Sequence, residues 1–186
     1  GIPLLVDLLR DGSADAKRST AAALRNLAAD NAANRVAIAE AGGIPPLVEL
    51  LRAGSAAAKR EAAEALGNLA RYNAANKVLI AEAGGIPPLV GLLRDGSANA
   101  KADAAWALGI LARDNDANAV AIAVAIGFDA VVDLARGGQV HVDDGGWGRH
   151  ASRAAKRKAA RILLRKCLPR AIIPDVIAAA TATFLV

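Results

Sequence analysis

EAGGIPPLV spans Glu40–Val48 and returns, letter for letter, as Glu82–Val90. The copies are 42 residues apart, and the identity spreads outward from them. Gly1–Gly42 aligns with Gly43–Gly84, and Gly43–Gly84 with Gly85–Ile126, without gaps and at about 30 of 42 positions in each case. A fixed period of this length marks a solenoid, in which one small unit of secondary structure stacks on the next.

Each unit reads as three helices. NAANKVLIAEAG (Asn73–Gly84) is a short first helix, opened by Asn as N-cap and closed by Gly as the residue after the C-cap. IPPLVGLLRDGS (Ile86–Ser97) is the second, with prolines in the first turn, where no helical N–H partner is lost. AAAKREAAEALGNLARY (Ala56–Tyr72) is the third and longest. Within it Ala63, Leu66, Leu69 and Ala70 recur at helical spacing and form the buried stripe. Leu24, Leu66 and Leu108 then occupy one layer in successive units, and Leu27, Leu69 and Leu111 another.

The composition agrees with closely stacked helices. Hydrophobic residues make up 54% of the chain, much of it alanine, and aromatics only 3%. One cysteine, Cys167, rules out an internal disulfide, which suits a reducing, intracellular compartment, cytoplasmic or nuclear. There is no run of about 20 apolar residues to span a membrane. The net charge of +5 is unevenly spread. Residues 1–148 hold 14 Lys+Arg against 17 Asp+Glu, a net of −3; residues 149–186 hold 9 basic residues against Asp175, a net of +8. The basic run RHASRAAKRKAARILLRKCLPR offers positive charge to nucleic acid or an anionic membrane, but it lacks the aromatics that stack bases and reads as a basic end-helix.

GGIPPLVELL, KREAAEALGNLA and the NxANKVxIAEAG pattern at this period together resemble the armadillo repeat family over residues 1 to about 138, with HEAT repeats the near alternative. The resemblance implies an all-α, right-handed α-solenoid of three-helix units (an alpha-alpha superhelix). The units read as 1–42 with its first helix missing, 43–84 and 85–126. A degenerate fourth unit follows at 127–168, with an inserted loop at about 139–152, and then a tail or cap at 169–186. The start at Gly1-Ile2-Pro3, in mid-unit, reads as a piece of a longer array with an uncapped apolar edge, expected to fray at residues 1–12 or to self-associate.

Catalysis has little to work with. His141, Asp143, Asp144 and His150 fall in the Gly-rich insertion at no spacing that matches a mechanism, so they read as a solvated loop and neither an enzyme, a metal site nor a cofactor is expected.

What the resemblance implies instead is a concave groove, lined by the third helices, that holds an extended peptide. The lane falls at i, i+3 and i+7, positions that avoid the leucine stripe. Through the four units it reads Ser19, Ala22, Asn26; Glu61, Glu64, Asn68; Asp103, Trp106, Ile110; and Lys158, Arg161, Arg165. The groove candidates are Asn26, Glu61, Glu64, Asn68, Asp103, Trp106, Lys158, Arg161 and Arg165, an acidic middle beside Trp106 and a basic end. Peptide-binding members such as importin-alpha place a Trp and an Asn four residues apart on this helix. Here the pair is split, because Asn26 and Asn68 follow Ala22 and Glu64, while Trp106 precedes Ile110.

The expected function is a non-catalytic interaction scaffold for a protein or extended peptide, with no small-molecule substrate. The alternatives are a nuclear import adaptor for basic peptides and the substrate-recruiting array of a ubiquitin ligase.

Overall fold

The computed structural model describes residues 1–126. The expectations for Lys158, Arg161, Arg165, Cys167, the His141–His150 loop and the fourth unit lie outside the described residues.

Nine α-helices follow one another among the described residues: α1 (Ile2–Asp11), α2 (Ala14–Ala29), α3 (Ala32–Glu40), α4 (Ile44–Ala53), α5 (Ala56–Ala70), α6 (Ala74–Glu82), α7 (Ile86–Asp95), α8 (Ala98–Ala112) and α9 (Asp116–Ile126). The sequence repeat is therefore a structural one, and the chain builds an α-solenoid. α3, α6 and α9 are first helices, α1, α4 and α7 second, and α2, α5 and α8 third.

Local chemistry sets the boundaries. The first helices start at Asn31 and Asn73, whose side chains accept from the backbone N–H of Asn34 and Asn76. They stop at Gly42 and Gly84, with φ of 76° and 74°, a left-handed turn that a side chain would oppose. Around Gly42, the N–H of Gly43 donates to the Ile38 carbonyl and that of Gly42 to Ala39, each at 2.9 Å. The second helix ends at Asp95, in the Asp-Gly-Ser turn, and Ser97 caps the next helix by accepting from the Ala100 N–H. Ser13 and Ser55 do the same for α2 and α5. The third helix stops short of Tyr72. Arg71 is already extended (φ −63°, ψ 119°), and Tyr72 turns left-handed at φ 55°.

Packing follows the expected stripes. Ala63, Leu66, Leu69 and Ala70 are fully buried, and Leu24, Leu66 and Leu108 form one continuous layer. α5 is enclosed on both sides by α2 and α8, and Ala58, Ala62, Ala63 and Ala65 let it come close to both. Alanine at these places gives up side-chain burial but permits tight helix stacking. The third helices touch one another far more extensively than the second helices do, so they form the tighter, inner layer of the stack.

A polar ladder runs through the junctions. Asn34 donates its side-chain N–H to the Leu27 carbonyl at the end of α2. Asn76 donates both to Leu69, at the end of α5, and to Arg35 in the preceding first helix. Asn118 repeats this with Leu111 and Lys77. The Leu27, Leu69 and Leu111 carbonyls lie in last turns, where intrahelical partners run out, whereas those of Arg35 and Lys77 lie inside α3 and α6 and join one unit to the next. Arg52 and Arg94, in the last turns of α4 and α7, likewise reach carbonyls at the ends of α6 and α9.

Candidate functional site

The lane lies on the inner layer, and the structure brings its described members together. Asn26 is exposed; Glu61, Glu64, Asn68 and Asp103 are half-buried; Trp106 is 38% exposed. Ile110, which takes the Asn place in the third unit, is buried.

The acids arrive with counter-ions, which changes the expected acidic middle. Arg25, on α2, sends Nη1 to Glu61 Oε2 at 2.7 Å and to Glu64 Oε2 at 3.0 Å on α5. Its Nε and Nη2 both donate to Asn26 Oδ1. Asn68 completes the cluster by donating Nδ2 to the Arg25 carbonyl at 3.1 Å. One unit further, Arg60 on α5 donates Nε to Asp103 Oδ2 at 3.0 Å on α8, and its Nη2 reaches Glu64 Oε1 at 3.4 Å. The result is one continuous network, Arg25–Glu64–Arg60–Asp103 with Glu61 joined at Arg25, of three carboxylates and two guanidiniums.

The excess charge concentrates at Asp103. Burial, followed by the facing Glu64 carboxylate, pushes its carboxyl up to about 6, against the pull of Arg60. The hydrogen bond to Glu64, reinforced by Asp103, holds the Arg60 guanidinium above its ordinary value.

Trp106 takes its place because Gly67 lacks a side chain. The indole of α8 lies against the α5 backbone there, and a Cβ at Gly67 would stand 2.1 Å from Cζ3. The ring thus presents an apolar wall one helical turn from Asp103. Neither Arg25 nor Arg60 was among the sequence candidates. The available signal was that Arg25 stands where the next two units have Gly67 and Gly109.

Among the described residues, no group of three or more His, Cys, Asp or Glu side chains gathers as a metal site. No described helix is long and apolar enough to cross a membrane.

The armadillo/beta-catenin-like repeat model matches residues 1–29, 31–71 and 73–113. No curated protein matches the chain. Three solved structures give its setting. An engineered protein from a structural genomics consortium is 28% identical, with a TM-score of 0.68 over 97% of this chain and 68% of that one. A computationally designed armadillo repeat protein for modular peptide recognition is 29% identical, with a TM-score of 0.66 over 89% of this chain and 63% of that one. A designed armadillo repeat protein in complex with the peptide (KR)4 is 27% identical, with a TM-score of 0.67 over 96% of this chain and 70% of that one. The three matched segments account for most of the described stack, helix by helix, and the chain belongs to the armadillo/beta-catenin-like repeat family.

Proposed function

We propose that the chain is a non-catalytic interaction scaffold whose third-helix face holds an extended segment of a partner protein. The observation that carries this reading is Trp106. A large ring stands partly exposed on the inner layer, flanked by half-buried groups that offer hydrogen bonds and charge. An extended peptide presents apolar side-chain stems for the ring and main-chain carbonyls for the Nδ2 donors of Asn26, whose Oδ1 is taken by Arg25. Likeness to designed proteins made for peptide recognition, one of them in complex with (KR)4, supports the same reading.

A nuclear import role, reading basic peptides, draws support from Trp106 beside Asp103. The pairing of Glu61, Glu64 and Asp103 with arginine weighs against it, because a basic ligand meets carboxylates that are already occupied.

The test is fluorescence anisotropy with an array of labelled extended peptides, neutral, basic, acidic and mixed, at low and high salt. At least one class is expected to bind the wild type and to lose tenfold or more with Trp106→Ala. Binding to no class, or binding indifferent to Trp106, would reject the lane as the peptide surface.

A further inference from the structure

Arg25 departs from the repeat in a way that changes the lane's charge. Its equivalents, Gly67 and Gly109, have no side chain, so among the described units the first alone carries a cation at this position of the third helix. That cation is held from several sides: by Glu61 and Glu64 on Nη1, by Asn26 on Nε and Nη2, and by Asn68 on its own carbonyl. Its side chain is only 23% exposed. Both carboxylates of this step are thereby paired with a resident cation.

We propose that Arg25 is a specificity-determining residue, a resident counter-ion that closes the Glu61–Glu64 step to Lys and Arg side chains of a bound peptide. This rests on the reading of the lane as a peptide surface. An incoming cation must displace a guanidinium tethered to the same scaffold, whose effective concentration at the carboxylates far exceeds that of a free peptide. A guanidinium also has five N–H donors, of which Arg25 commits four here. The remaining donor, on Nη2, suits an acceptor on the ligand. The step therefore favours a neutral acceptor, a carbonyl or hydroxyl, over a positive charge, and the lane selects against polybasic peptides. In the second unit Trp106 fills the equivalent space over Gly67, so the two steps differ in chemistry although the helices carrying them repeat.

The test is a gain of binding, which a damaged fold does not readily mimic. Anisotropy of labelled (KR)4 is measured against wild type, Arg25→Gly, Arg25→Gln and the double variant Arg25→Gly/Glu61→Gln at low salt, with helicity checked by circular dichroism. Arg10→Gln, which removes the same charge from the exposed end of α1, controls for bulk electrostatics. The expected result is weak binding by wild type and a tenfold or larger gain in both single Arg25 variants. The double variant loses that gain, and Arg10→Gln stays within twofold of wild type.

Wild type binding (KR)4 as tightly as Arg25→Gly overturns the proposal. So does an equal gain in Arg10→Gln, or a gain that survives Glu61→Gln. If (KR)4 binds no variant while another peptide binds in a Trp106-dependent way, the Arg25 proposal fails and the peptide lane stands. If nothing binds, both fail.

Discussion

The Trp106 indole and the Gly67 backbone are in direct contact across the α5–α8 interface, with no room for a methyl group between them. Gly67→Ala therefore pushes the ring off α5. Alanine gains about 1 kcal/mol of helix propensity over glycine. Uncovering part of the ring's apolar area costs a similar amount, on the order of 1 kcal/mol. We expect stability to change by less than about 1 kcal/mol, while Trp106 emission shifts to the red and peptide affinity falls. Emission spectra in a Trp147→Phe background check the displacement. An unshifted spectrum would show that the ring does not rest on Gly67.

Two asparagines of similar appearance in the sequence have unequal weight. Asn76 is 2% exposed and closes two carbonyls, those of Leu69 and Arg35. Asn68 is half-buried and closes one, that of Arg25. Asn76→Ala is expected to cost about 2–3 kcal/mol, because it strands the buried Leu69 acceptor and unties α6 from α3, and Asn68→Ala about 1 kcal/mol or less. Urea unfolding of both variants decides, and equal losses would mean that the ladder bonds are not made.

Asp103 makes stability depend on pH in a predictable direction. Its carboxyl titrates near 6 in the fold, against 3.8 ordinarily, so between those values the folded chain holds more protons than the unfolded one. The favourable contribution is complete below about pH 3.8 and is lost as pH rises through about 6. Asp103→Asn removes the titration. The stability of the variant relative to wild type should thus improve between pH 4.5 and 7.5, as measured by paired urea midpoints. A constant difference would place Asp103 in an ordinary environment.

Leu4 and Leu8 are 70% and 49% exposed, whereas Leu50 and Leu92, equivalent to Leu8 in the later units, are nearly buried at 7% and 8%. Adjacent apolar side chains left open in this way favour self-association. We expect Leu4→Lys/Leu8→Glu to reduce association in sedimentation velocity with little loss of stability, while Leu50→Glu destabilises by several kcal/mol. Hydrogen exchange in residues 1–12 should be much faster than in residues 56–70. Slow exchange there in a monomeric sample would contradict this expectation.

The helices were legible because their signals are local. Asn73 and Gly84 bracket a helix within a dozen residues, prolines mark the first turns of α4 and α7, and the leucine stripe needs only helical periodicity. Distance along the chain hid the rest. Arg25 meets Glu61 across 36 residues, and Arg60 meets Asp103 across 43. Those meetings depend on the rise between stacked units, which no helical periodicity encodes. The lane positions could be listed from the repeat, but not their partners. Asn76 was concealed differently, since it follows an N-cap Asn and so looks like part of the cap.

The ladder of Asn34, Asn76 and Asn118 has a direction. Asn76 binds a carbonyl of the earlier α3, and Asn118 one of the earlier α6. Each rung is thus donated by the newer segment to one already synthesised. A chain emerging from the ribosome can complete the rung as soon as the newer segment clears the exit, without waiting for anything downstream. The order in which the units are made is also an order in which they can lock.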